Sequence, residues 1–241
     1  MPMSALLGFM SWFGAMTVGG GDAKTTDFFP TPLGDLRISC ITHATLMITW
    51  NGLVIHVDPQ RESARLPKAD LILLTHEHSD HLDTGAIAAL KKDGTELIYS
   101  ASCAGQLPGG TVMRNGDTRE WRGIRIEAVP AYNLVHGPGP GKLYHPKGNG
   151  NGYLLTLGGK RLYLAGDTEN IPEMKSLRNV DVAFLPMNLP YTMTPEMVAD
   201  AARVFRPKVL YPYHYGDTDP HRLVALLAGE MGIEVRIRSL R

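Results

Sequence analysis

A chain of 241 residues with 44% apolar content can fill one large core, or two small ones, without help from disulfides. Its 24 basic side chains balance its 24 acidic ones, so it has neither the positive field that draws nucleic acid nor the acidic run of a solvated tail. The partner this leaves is a small-molecule substrate, and the two cysteines, Cys40 and Cys103, read as buried free thiols with no CxxC spacing between them.

Residues 1–25 stand apart as an apolar segment running from Ala5 through Val18 to Gly19-Gly20-Gly21. It resembles the core of a signal peptide but lacks a preceding Lys or Arg, and it is too short to span a membrane. Export and packing against the domain are equally consistent with it, so neither a periplasmic nor a cytoplasmic compartment follows.

From residue 26 to 241 a single domain is expected, since neither a repeat nor a linker interrupts the pattern. Leu36–Ile41 and Ala44–Trp50 alternate apolar and polar residues, and Asn51-Gly52 turns the chain back into Leu53–Val57, which predicts an antiparallel opening. Asp70–Leu74 is a short unbroken apolar run, the pattern of a strand buried on both faces. Helical spacing follows over Asp83–Leu90, then strands are predicted at Glu96–Tyr99, Ile124–Val129, Tyr153–Leu157 and Arg161–Ala165. Thr194-Pro195-Glu196 starts a helix whose stripe of Met197, Ala201 and Phe205, flanked by Val198 and Ala202, runs until Pro207 stops it. The strand Val209–Tyr211, a helix over Asp219–Leu227 and a strand over Glu234–Ile237 complete an α/β alternation.

The chemistry is concentrated in Thr75-His76-Glu77-His78-Ser79-Asp80-His81, four metal-ligand side chains within six positions directly after a buried strand. In an extended loop His76 and His78 project to the same side and can converge on one cation, while Asp80 and His81 face a second. Glu77 points the other way, to solvent or to a supporting role. Further ligands must come from other strand ends. Asp167, in Ala165-Gly166-Asp167-Thr168, is placed to be shared by both cations, and His214, in Tyr211-Pro212-Tyr213-His214-Tyr215-Gly216, comes at the end of another strand. His56, His136 and His221 have no companion at ligand spacing and read as structural or surface residues.

The order of these motifs resembles the metallo-β-lactamase superfamily over most of the chain. It is similar to the branch containing ascorbate-6-phosphate lactonase and N-acylphosphatidylethanolamine phospholipase D. In that branch a Gly-His-Ala-Ser or Gly-His-Ala-Thr stretch is matched by Thr42-His43-Ala44-Thr45. The resemblance implies a four-layer αββα sandwich with metals at one edge. It also implies a third imidazole for the first cation, at a loop where this chain has Asn133; His145, twelve residues on in a Gly-rich loop, is the candidate replacement, with Asn133 or water as the alternative.

Two divalent cations about 3.5–4 Å apart activate a water and polarise a substrate oxygen. The expected activity is therefore metal-dependent hydrolysis, with Asp80 orienting the nucleophile and His43 as a second catalytic candidate. The mixed imidazole and carboxylate set suits zinc, and manganese or iron are compatible with it. The resemblance points to a phosphodiester or phosphorylated small molecule; a lactone, amide or β-lactam is the second substrate class. A reading from another class is a non-hydrolytic di-iron redox protein, weakened here because no flavin module or Gly-rich dinucleotide fingerprint accompanies the site.

Overall fold

A computed structural model describes residues 26–241. The apolar segment at 1–25, and with it the question of export or packing, lies outside the described residues.

Two seven-stranded sheets form the centre. The first holds β1 (Thr26–Phe29), β2 (Leu36–Thr42), β3 (Thr45–Trp50), β4 (Leu53–Val57), β5 (Leu71–Leu74), β6 (Glu96–Ser100) and β7 (Thr111–Met113) in chain order. The second holds β8 (Thr118–Trp121), β9 (Ile124–Ala131), β10 (Gly150–Leu157), β11 (Lys160–Leu164), β12 (Val182–Pro186), β13 (Val209–Tyr213) and β14 (Glu234–Val235). Each sheet begins as four antiparallel strands and continues in parallel, β4 to β7 in one and β11 to β14 in the other.

The hairpins are set by their turns. Asn51-Gly52 joins β3 to β4 and Gly158-Gly159 joins β10 to β11, all four residues at positive φ, the conformation that matches strand twist in a two-residue loop. The four residues of β5 are wholly buried because they divide between two cores. Leu71 and Leu73 join the large cluster between the sheets, while Ile72 and Leu74 join a second cluster with Ile87 and Leu90 of α1 (Thr84–Leu90). On the far side, α2 (Pro195–Phe205) packs on the second sheet, the Phe205 ring meeting Tyr163 edge-on, and α3 (His221–Leu227) lies beside α2. The layers are thus helix, sheet, sheet, helices: the αββα sandwich.

Helix starts follow the expected chemistry. Asp83 accepts from the amides of Gly85 and Ala86, and the Thr194 hydroxyl accepts from that of Met197. The buried face of α2 centres on Val198, Ala201, Ala202 and Phe205, which leaves Met197 half-buried at its margin. Several boundaries differ from expectation, β10 starting at Gly150 and β13 running on to Tyr213. The last strand stops at Val235, its register with β13 covering Val209 and Leu210 alone. The final helix begins at His221, whose amide donates to the Asp219 carboxylate just ahead of it. Four strands escaped the sequence pattern: the short edge strands β1, β7 and β8, and the buried β12 inside the second sheet. No described helix is long and apolar enough to cross a membrane.

Candidate metal centre

The C-terminal ends of β5, β11 and β13 meet at one edge of the sandwich, as parallel strands of open sheets commonly present their loops. The β5 loop brings His76, His78, Asp80 and His81; the β2–β3 turn brings His43; the long β9–β10 connection brings His145; β11 and β13 end at Asp167 and His214. Gly166 makes the approach of the two sheets possible. At φ +65° it lies so close that a Cβ would stand 2.8 Å from the Asn151 carbonyl and 3.3 Å from Thr75. Across the same seam the Asn151 amide donates to the Thr75 carbonyl at 2.9 Å.

Three overlapping sets result, each with its donor atoms within 4.8 Å of one another: His76, His78 and His145; His76, His81 and Asp167; and His43, Asp80, His81 and His214. In the first, His78 Nδ1 lies 3.1 Å from His76 Nε2 and 3.2 Å from His145 Nε2. Asp167 stands between the groups, its carboxylate 3.4 Å from His145 and His81 and 3.2 Å from His214.

Hydrogen bonds on the outer side of these rings decide what the inner side offers. The buried Asp58 carboxylate accepts from the Thr75 amide, from the Thr75 hydroxyl at 2.7 Å and from His81 Nδ1 at 2.8 Å. Its proton so committed, the Thr75 oxygen is left to accept from His76 Nδ1 at 3.1 Å. His145 Nδ1 donates to Asn133 Oδ1 at 2.7 Å, and His43 Nδ1 to the main-chain oxygen of Arg241 at 3.0 Å. In the neutral rings of His76, His81, His145 and His43, therefore, Nε2 carries a lone pair and faces inward. Converging lone pairs and a carboxylate cannot satisfy one another. Accordingly His81 Nε2, Asp167 Oδ1 and both ring nitrogens of His214 are buried without a hydrogen-bond partner. Such a set fits divalent cations: orphaned donors, the right ligand chemistry, and outer partners already in place.

The electrostatics agree. Burial lowers His76 well below the ordinary imidazole range, and the neighbouring imidazole of His81 adds to this. Burial also lowers His145, Asp167 opposing it. At His81 burial is outweighed by the carboxylates of Asp167 and Asp58, so its pKa rises. His214, where burial likewise opposes, is carried up to about 10 by Asp167 and Asp80. Asp167 and Asp80 are held below the usual carboxylate range despite burial, by His214 and His81 around the first and by His214 and His43 beside the second. The pocket thus stays anionic at its centre and attracts positive charge, either protons on two imidazoles or a metal that displaces them.

Asn133 does not enter the pocket. Its side chain is fully buried, and besides the ring of His145 its Oδ1 accepts from that residue's amide at 2.8 Å. The third imidazole therefore comes from the longer loop, and the asparagine orients it. Asn133 is held in turn by Glu169, whose buried carboxylate accepts from Asn133 Nδ2 at 3.0 Å and from both the amide and the ring of His136 at 2.8 Å. His136 thus has a supporting place near the site, whereas His56 is a core residue bonded to the Pro67 carbonyl and His221 sits at the surface against Asp219. Glu77 stays half-buried outside all three sets. Both cysteines are buried and free. Sequence reasoning missed Asp58 and Glu169, whose only signal was a carboxylate just past a strand end.

Residues 37–214 match the family described as the β-lactamase superfamily domain. A UPF0173 metal-dependent hydrolase of Geobacillus sp. is 34% identical over 220 residues, covering 82% of this chain and 95% of the relative. The solved structure of a candidate metal-dependent hydrolase from Parabacteroides distasonis is 51% identical, covers 90% of this chain and 99% of its own, and superposes with a TM-score of 0.85. Igni18, a metallo hydrolase of Ignicoccus hospitalis, shares the fold at 22% identity, with a TM-score of 0.70 over 85% of this chain and 95% of its own.

Proposed function

The chain belongs to the β-lactamase superfamily and is a metal-dependent hydrolase, and from that premise we propose that it works through two divalent cations, zinc by the chemistry of its donors, on a phosphodiester or another phosphorylated small molecule. The observation that carries the metal part of this reading is the set of inward lone pairs, each fixed by a hydrogen bond on the far side of its ring. His76, His78 and His145 would hold the first cation, Asp80, His81 and His214 the second, and Asp167 lies where both can share it. When bound, such a pair lowers the pKa of a shared water and takes up charge on the substrate's oxygen.

The residues of the chain do the rest. Asp80 is the most open carboxylate of the group, its side chain 49% exposed, and would accept a hydrogen bond from the attacking water and so orient it. His43 Nε2 lies 3.2 Å from Asp80 Oδ2, and its ring rests on that of His214 at 3.8 Å. From there its Nε2 lone pair would serve the second cation as a further donor beside Asp80. The preference for phosphorus over a carbonyl carbon rests on the family resemblance, since the same nucleophile attacks either.

Elemental analysis of purified protein, wild type beside His78→Ala and His145→Ala, tests the metal reading together with hydrolysis of bis(p-nitrophenyl) phosphate and a simple γ-lactone. The expected result is about two metals per chain in the wild type, fewer in each variant, and diester cleavage that falls with the metal. A wild type that takes up no transition metal when supplied with it overturns the proposal, and lactone cleavage without diester cleavage moves it to the second substrate class.

A further inference from the structure

Two loops beside the metal centre expose large apolar side chains: Leu134, Val135, Leu189 and Tyr191 are each 43% exposed or more. The loops belong together. Asn133 Nδ2 donates to the Tyr191 carbonyl at 2.8 Å, and the Tyr191 ring meets Tyr144 edge-on at 4.9 Å. Tyr144 in turn lines the same cavity as His76, His145 and Asp167. At its other end the second loop reaches the His214 strand end, where Asn188 lies against Gly216. The two joined loops therefore reach the metal centre at both ends, by Tyr144 on the His145 side and by Asn188 next to the His214 strand end.

Neither stretch carries a charge that faces outward. Residues 187–193 contain no ionisable group but Tyr191, and His136, the one imidazole following Leu134 and Val135, is taken up by Glu169. The groove by His43 and Asp80 is instead polar and charged, lined by Gln60, Arg61, Ser79 and Asp83. A site with one apolar and one polar lip suits a substrate of the same build, and apolar surface left bare beside a reactive centre is the usual mark of a ligand's place.

We infer that the substrate carries an apolar alkyl, acyl or aryl group next to its scissile bond, and that the lip of Leu134, Val135, Leu189 and Tyr191 receives it. The inference rests on the metal-hydrolase reading but not on the choice between phosphorus and carbon.

The test uses n-alkyl hydroxamates from acetyl to hexanoyl, whose head group chelates a metal whichever centre the natural substrate presents. They are titrated calorimetrically into the metal-loaded full chain. Affinity should rise with each methylene, up to about fourfold where the group is fully buried. In Leu134→Ser/Val135→Ser, two exposed positions, the shortest member should bind as in wild type while the gain per methylene falls to less than half. Affinity independent of chain length, or a gain untouched by the double variant, overturns the inference with the hydrolase reading intact. If even the acetyl member fails to bind the loaded protein, the metal reading and the inference fall together. Light scattering covers the remaining occupant: a wild-type dimer that the double variant dissociates, with no change in the gain per methylene, makes the lip a subunit interface and overturns the inference.

Discussion

Asn133 and Asp58 show how much of a metal site can lie in residues that would never touch the metal. Each accepts the outer N–H of one imidazole, and an amide or carboxylate in that position fixes the tautomer and the ring plane that the cation meets. Asn133→Ala should therefore weaken the first metal by about 10- to 100-fold with little change at the second, read by competition with a chromophoric chelator. Glu169→Gln, which keeps an oxygen for Asn133 and His136 but removes the charge and sets an amide NH2 against the Val135 N–H, should shift the same constant in the same direction by less. These roles were not legible in the sequence. The β5 loop announces itself because its ligands are neighbours, whereas Asp58 and Asn133 acquire meaning through partners 23 and 12 residues away. The asparagine looked like a lost ligand because only its place in the resemblance was visible, not the direction of its side chain.

At the scale of elements, most of the fold was readable because periodicity and caps agree. The unbroken run of β5, the Asn51-Gly52 hairpin and the Thr194-Pro195 start all stand where their chemistry put them. What was missed is of two kinds: β7 has three residues and β8 four, too few for alternation to rise above the background, while β12 is buried throughout and so has no polar face to show a period. The two glycine-dependent features differ in kind from the caps. Thr194→Ala should cost about 0.5–2 kcal/mol, the ordinary value of a lost cap, in urea unfolding, with metal content unchanged. Gly166→Ala should destabilise by more and lower metal content as well. A methyl there, at positive φ and 2.8 Å from the Asn151 carbonyl, has to push β11's end, and Asp167 with it, away from Thr75.

For the whole molecule, the tie between the first strand and the last residues is electrostatic. Asp27 of β1 accepts from Arg238 at 2.6 and 2.9 Å and from Arg236 at 3.3 Å, and although burial would raise its pKa, these partners hold it below the usual carboxylate range. A depressed carboxylate adds stability that is complete above its unfolded pKa, near 4, and is lost as pH falls through the lower folded value. The urea midpoint of Asp27→Asn should accordingly lie below wild type at pH 7, by an amount equivalent to about 1.5–3 kcal/mol, and the two should converge below pH 4. The metal centre ties the molecule in another way. Every one of the three ligand sets draws at least one member from each sheet: His145, Asp167 or His214 from the second, the remaining histidines and Asp80 from the first. Neither sheet alone can assemble a complete set, so during synthesis, with the second half still unmade, the chain can hold a cation only loosely. Tight metal uptake by these sets would then report that both halves have been made and have closed upon each other.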